Sequence, residues 1–363
     1  MKIAIVGAGI VGSTAAYYLS KEKDVEVTVF DHGLGQATKA AAGIISPWFS
    51  KRRNKAWYRM ARLGADFYQE LTSNLENDGY DTSFYDQSGV ALLKKDDSKL
   101  DGLYQHAETR LEESPIIGEL SIKNADNLPE FTGFDRYLYA SGGARVEGAE
   151  LTATLINASG FEKLEGPVTL SSLDNGSYEI NCQTFDKVIL ACGAWLGQTL
   201  EPLGFEVDVR PQKGQLRDYF FDGLDTGKLP VLMPEGELDV IPFAGGKISV
   251  GASHENDKGF DLTVDEAILE GLEEEAKTYF PDLSTAKSFS ERVGTRAYTS
   301  DFSPFFGEVP ELKNVFVASG LGSSGLTTGP LIGKNLVDLA MNRSGSLDSA
   351  DYPVTQYVRK KEQ

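Results

Sequence analysis

The chain has 363 residues, 41% of them hydrophobic and 25% charged, an ordinary balance for a folded protein with room for two domains or one domain with a large insertion. Its 54 acidic against 35 basic residues give a formal charge of -19, so most of the surface repels nucleic-acid backbones and anionic membranes. The 3 histidines and 2 cysteines are scattered, which argues against a histidine-centred triad, a metal cluster or a disulfide framework. We expect Cys182 and Cys192 to be buried thiols in strand-like sequence, and electron chemistry to be carried by a bound cofactor rather than by side chains. No apolar run reaches the length of a bilayer span. The start, Met1-Lys2-Ile3, leads into a core strand without a signal-peptide pattern, so a cytoplasmic location is expected.

The apolar run from Lys2 to Val6 reads as a strand that enters Gly7-Ala8-Gly9-Ile10-Val11-Gly12. Gly7 permits a sharp exit from the strand, Gly9 lets backbone approach a pyrophosphate, and Gly12 lets the next helix pack closely on the sheet. An anion at that helix start meets unpaired amides and the positive end of the helix dipole. Val25 to Phe30 reads as the next strand, and Asp31 falls where a carboxylate accepts hydrogen bonds from both hydroxyls of an adenosine ribose. The pattern is that of a dinucleotide site and does not by itself separate FAD from NAD.

Further along, the small residues Ala40-Ala41-Ala42-Gly43 between Gln36 and Ser46 let backbone come close to a flat ligand or pack as a plain loop. A scaffold helix is predicted from Trp57 to Leu75, with strands at Phe84 to Leu93 and Arg136 to Ala140 on either side of a helical region through Leu100, Leu103, Ala107 and Leu111. A helix from Gly148 to Asn157 precedes a hairpin of Val168 to Leu173 with Ser177 to Cys182, turned by Asn175-Gly176. Lys187 to Cys192 reads as a buried strand ending in small residues up to Trp195. Gly214 to Phe221, Leu238 to Phe243 and Lys247 to Ala252 read as an antiparallel sheet. A helix follows from about Val264 to Phe280, with Ile268, Leu272 and Ala276 inward and Glu273-Glu274-Glu275 on a solvated face. A last strand, Val315 to Ser319, feeds Gly320 to Thr327 and a second helix start, suited either to the negatively charged edge of a reduced flavin or to a structural turn.

In their order and spacing these segments resemble the D-amino-acid oxidase family of FAD-dependent oxidoreductases, most closely its glycine-oxidase branch. The motifs are Gly7 to Gly12, Thr38 to Gly43, Leu190 to Trp195, Gly294-Thr295-Arg296 with Asp301 and Pro304, and Gly320 to Pro330. The resemblance implies an α/β protein with a Rossmann-like FAD-binding domain and a second, mainly antiparallel-sheet substrate domain. The expected division gives residues 1–83, 143–213 and 294–363 to FAD binding and 84–142 and 214–293 to the substrate domain. It implies FAD contacts from Gly7, Gly9, Ile10, Val11, Gly12, Asp31 and His32, and from Ala37, Thr38, Ala42, Gly43 and Ile44. Val168 would present backbone to adenine, Ala191, Gly193 and Trp195 lie on the middle element, and Leu321, Gly322, Ser323, Ser324, Gly325, Leu326 and Thr327 match the segment at the flavin's pyrimidine edge.

By the same resemblance Arg296 pairs with a substrate carboxylate; the alternative is a salt bridge with a neighbour such as Asp301. Ser323 stands where the glycine-oxidase branch carries a second carboxylate-directed arginine, and Asp239 aligns approximately with a substrate-side tyrosine, so glycine itself is a poor fit; Asp239 either meets a substrate amine or faces solvent at a strand start. Neither cysteine matches the position that tethers flavin in sarcosine-oxidase relatives, so noncovalent FAD is expected. The implied reaction passes hydride from the α carbon of a small amino acid or N-substituted amino acid to flavin N5, leaving an imine that water hydrolyses. Two other readings stand beside it, oxidation of a 2-hydroxy acid and a non-catalytic FAD sensor. The electron acceptor depends on access to the flavin edge, which the sequence does not encode.

Overall fold

The computed structural model describes residues 1–361. The N-terminal strand Lys2–Val6 lies at the heart of a six-stranded sheet. Glu26–Asp31 and Lys187–Leu190 pair with it in parallel on either side, Val29 and Ile189 both standing opposite Ile5. Glu162–Glu165 and Val315–Ser319 extend the parallel order, and Phe305–Glu308 closes one edge antiparallel. Helices cover the sheet, which is why Ile3, Ala4 and Ile5 are fully buried and the strand reads as a continuous apolar run. The helix Ile10–Leu19 packs on Gly325–Ala340 at glycine contacts, where a Cβ at Gly333 would lie 2.5 Å from the Val11 carbonyl oxygen.

The second sheet has eight strands in the order Ser288–Tyr298, Arg210–Phe220, Lys247–Gly251, Asp239–Phe243, Val231–Met233, Val90–Leu92, Arg136–Ala140 and Leu120–Asn124. All neighbours are antiparallel except Val231–Met233 with Val90–Leu92. The architecture is therefore the expected α/β combination of a parallel-sheet and an antiparallel-sheet domain. Ser288–Tyr298 and Arg210–Phe220 pair over 11 positions, from Arg210 opposite Tyr298 to Phe220 opposite Ser288. One end of this ribbon reaches the first domain, where the Thr295 amide donates to the Gly35 carbonyl at 2.9 Å. The expected divisions at 213/214 and 293/294 both fall inside the ribbon.

Several local expectations are corrected. Phe84 to Leu93 is not one strand: Tyr85–Asp86 pairs with Ala144–Val146, whereas Val90–Leu92 joins the large sheet after a turn at Gly89, whose φ is +84°. Cys182 is exposed, because it forms a tight turn with Asn181 between Tyr178–Ile180 and Gln183–Phe185, both turn residues at positive φ. The helix Glu266–Lys277 buries Leu269 and Ala276 more deeply than Ile268 or Leu272, and Glu273 accepts hydrogen bonds from Arg217 and Tyr219 instead of facing only solvent. Ser288–Tyr298, Glu162–Glu165 and Leu120–Asn124 escape an apolar-alternation test because they are polar edge strands.

Candidate active site

A cavity of about 560 Å³ lies between the two sheets. One end is made by the first glycine turn. Gly7 has φ +100°, and a Cβ there would sit 2.3 Å from the Ala191 carbonyl oxygen, so glycine alone lets these adjacent strands turn away together. The Ile10–Leu19 helix begins at Gly9 with no side-chain cap, leaving first-turn amides directed at the cavity end. The Ile10 amide is an exception, donating to Thr38 Oγ1 at 3.0 Å, which pins the Ala37–Ala40 turn against the helix. Asp31 is buried; its Oδ1 accepts from the Ala8 amide at 3.2 Å and its Oδ2 from Gln36.

Every cofactor-contact residue expected from the sequence lines this cavity except Gly12. Gly12 instead packs helix on strand, since a Cβ there would lie 1.8 Å from the Gly7 carbonyl oxygen. Asp31, His32 and Val168 mark one end, Ala37 to Ile44 and Ala191 to Trp195 form walls, and Leu321 to Thr327 stand at the start of the last long helix. Gln36 Oε1 and Thr295 Oγ1, both on cavity residues, are buried without a protein hydrogen-bond partner. Buried polar atoms left unpaired are costly, so these are natural contacts for a polar ligand. The small-residue walls, the uncapped helix starts and the unpaired atoms fit an extended dinucleotide.

The other end is built by one face of Ser288–Tyr298, where side chains two residues apart point the same way. Arg292 donates to the Ala41 carbonyl at 3.0 Å, and Gly294 lets that loop approach, with a hypothetical Cβ 2.7 Å from Ala40 Cβ. Arg296 enters the cavity, and two residues on the Tyr298 hydroxyl accepts from the Ser323 amide at 3.0 Å. The Arg296 guanidinium lies on Gly214, whose Cβ would be 2.5 Å from Nη1. Nη1 donates to the Ser253 carbonyl at 2.8 Å and to Gln212 Oε1 at 3.1 Å. Among the described residues Nη2 has no hydrogen bond, and no acid lies within ion-pair distance. Asp301 is taken up by Thr299, Ser303 and Tyr357, so the salt-bridge alternative for Arg296 does not hold.

Burial lowers the Arg296 pKa from its ordinary value, yet a guanidinium stays charged. Burial, followed by the charge of Arg296, holds the His254 imidazole below its usual range and favours its neutral form. Burial alone pushes the Asp239 carboxyl up to about 7. Asp239, Ser323 and Arg296 all line the cavity. Sequence reasoning missed Gln212, Gly214, Ser253 and His254, which are brought to Arg296 by strand pairing across more than 40 residues. It also read Trp57 as scaffold, whereas Trp57 lines the cavity with a buried, unpartnered indole N–H. Cys192 lines the wall, donates to the Val6 carbonyl at 3.5 Å, and is pushed up to about 12 by burial, which keeps it a neutral thiol. Among the described residues no group of three or more His, Cys, Asp or Glu side chains is placed to hold a metal ion, and no helix is long and apolar enough to cross a membrane.

Comparison with known proteins agrees with this geometry. The oxidoreductase YurR of Bacillus subtilis is 37% identical, with 96% of this chain and 97% of that protein covered. The glycine oxidase of Pseudomonas aeruginosa is 30% identical, with 97% and 98% covered. The crystal structure of iminodiacetate oxidase from Chelativorans sp. BNC1 superposes with a TM-score of 0.90 at 29% identity, over 98% of each chain. The family described as FAD dependent oxidoreductase, DAO, matches residues 2–339, and the chain is a member of that family, an FAD-dependent oxidoreductase of glycine-oxidase-like type.

Proposed function

We propose that this enzyme oxidises a small amino acid or N-substituted amino acid at the carbon between carboxylate and nitrogen. The observation that carries the reading is Arg296, whose free guanidinium edge opens into the same cavity as the dinucleotide cradle. Gln212 and Ser253 hold one nitrogen and Gly214 supports the flat face, leaving the other N–H groups for a carboxylate. Two parallel charge-assisted hydrogen bonds fix the orientation of such a group as well as its position. His254, held neutral, adds no competing positive charge beside that clamp.

The first glycine turn, Asp31 and the Ala37 to Ile44 segment would hold the FAD pyrophosphate and ribose without a covalent bond, while Leu321 to Thr327 would face the flavin. FAD, when bound, supplies the acceptor for the hydride that leaves the substrate carbon. We assign residues 1–83, 143–213 and 294–363 chiefly to the cofactor domain and residues 84–142 and 214–293 to the substrate domain, with the Arg210–Phe220 and Ser288–Tyr298 ribbon that carries Gln212 and Arg296 crossing both boundaries, and the enzyme to the cytoplasm.

Anaerobic mixing with D-amino acids, N-methylated amino acids and 2-hydroxy acids tests the reading. Rapid bleaching of the yellow flavin by one of the amine classes is expected. Bleaching by hydroxy acids alone, or by no compound, overturns it.

A further inference from the structure

We propose that Asp239 forms a cation subsite, so that the preferred substrate joins its reacting amine and carboxylate to a second, positively charged nitrogen. The inference rests on Arg296 taking the carboxylate as above. Among the described residues Asp239 has neither a hydrogen-bond nor an ion-pair partner, although it lines the cavity. Glu237, the acid two residues before it on the lining, lies 3.7 Å from His254 Nδ1, and the acids behind the lining are engaged. Glu255 accepts from Gln215 at 2.8 Å and from Ser253 at 2.7 Å, Asp218 pairs with Arg292 at 2.8 Å, and Glu147 pairs with Lys247. Asp239 is half-buried at the start of its strand, and a carboxylate left unpaired on a mainly apolar cavity wall is costly, a cost that a ligand cation would offset.

The strand register places this acid at a useful separation from Arg296. The guanidinium lies on Gly214; two residues along, Leu216 stands opposite Gly251, and Gly251 stands opposite Asp239. Two strand spacings and a two-residue step along the strand separate the anchors by on the order of 12 Å, enough for a chain of several bonds. The amine being oxidised has to be neutral at the moment hydride leaves the adjacent carbon, because its lone pair stabilises the developing positive centre. That nitrogen therefore has no lasting charge for Asp239 to meet, whereas a second nitrogen further along the molecule keeps one. A second carboxylate would instead be directed at Asp239 with Glu237 also on the cavity lining, and no arginine or lysine other than Arg296 lines the cavity among the described residues.

The test uses the FAD-loaded enzyme under anaerobic conditions with three compounds of similar length, N-(2-aminoethyl)glycine, N-propylglycine and iminodiacetate. The wild-type enzyme is expected to be reduced by the cationic compound with a kcat/KM at least about tenfold above that of N-propylglycine, the size of one charge-assisted contact, with iminodiacetate last. In Asp239→Asn the cationic-to-neutral ratio should fall toward one, and in Asp239→Glu it should be largely kept, with flavin content showing that both variants are folded. A wild-type ratio of one or less, preference for iminodiacetate, or an Asn variant that keeps the ratio overturns the inference and leaves the amine reading intact if N-propylglycine still bleaches the flavin. Bleaching by none of the three overturns both.

Discussion

The two ends of the cavity are made of different material. At the glycine-turn end the working surface is backbone: amides at an uncapped helix start, a strand exit at φ +100°, and small residues that keep side chains out of the way. At the Arg296 end it is side chain, with a guanidinium held by Gln212, Ser253 and Gly214 from strands far apart in sequence. The first kind of surface gives a common mode of holding one cofactor, because every sequence has the same amides. The second kind varies residue by residue, and it is here that a chain can change its substrate while keeping its chemistry.

The sharpest way to break this contrast is to put a side chain where the backbone works. Gly7→Ala combines positive φ with a contact of 2.3 Å to the Ala191 carbonyl oxygen, so the strand exit has to shift. Strain and displacement together cost several kcal/mol, about 3 or more. The purified variant should be largely colourless or insoluble, measured as the ratio of flavin to protein absorbance; normal colour would show that the turn is more plastic than its packing indicates.

Next in size is Arg296→Ala. Loss of a bidentate charged contact should lower kcat/KM for a carboxylate-bearing amine by on the order of 10² to 10³, while flavin content stays near wild type. Equal loss of colour and activity would place Arg296 with the scaffold. Gly214→Ala probes the same clamp from beneath, because the new methyl would occupy the space of the guanidinium face. Its expected signature is a rise in KM of roughly tenfold with little change in cofactor retention, since the displaced group is a positioned side chain and not backbone.

The contrast also explains what was legible in the sequence. The glycine turn, Asp31 and the last helix start are contiguous signals, each a few residues long, and the fold follows from apolar strands such as Lys2–Val6 that are buried on both faces. Arg296 is legible only through the family motif that it shares with Gly294, Thr295, Asp301 and Pro304. Its supports were not, because Gln212 stands opposite Arg296 only when two 11-residue strands pair in one particular register. The strand that carries Arg296 is itself rich in Ser, Glu and Arg, and its alternation reflects which polar partner each face meets. Cys182 shows the reverse error: apolar neighbours suggested burial, but a two-residue turn places it outside.

A smaller effect separates the ends by pH. The folded protein raises the Asp239 carboxyl to about 7, above its unfolded value. Between about pH 4 and 7 the folded state then holds a proton that the unfolded state has released, so this residue's contribution falls as pH rises and stays unfavourable above 7. Asp239→Asn should raise the melting temperature by about 2 °C at pH 8 and bring no comparable gain near pH 4, measured without substrate. A gain that is the same at both pH values would show that the acid is not titrating as its surroundings imply.

The smallest expected effect lies at the backbone-made end. Cys192 lines the cavity wall between Ala191 and Gly193, and its thiol donates to the Val6 carbonyl at 3.5 Å. Burial pushes its thiol up to about 12, so at neutral pH it carries no charge that could attract or repel a phosphate. If amides and not side chains do the holding there, Cys192→Ala removes only a small, half-buried group, costs about 1 kcal/mol of stability, and leaves the flavin-to-protein ratio unchanged. A thiol reagent should by the same logic label Cys182 in the native enzyme and reach Cys192 only after unfolding, because the thiolate is the reacting form. Loss of colour in Cys192→Ala would mean that a side chain shares in gripping the cofactor, and the division between a backbone-built and a side-chain-built end would have to be redrawn at that wall.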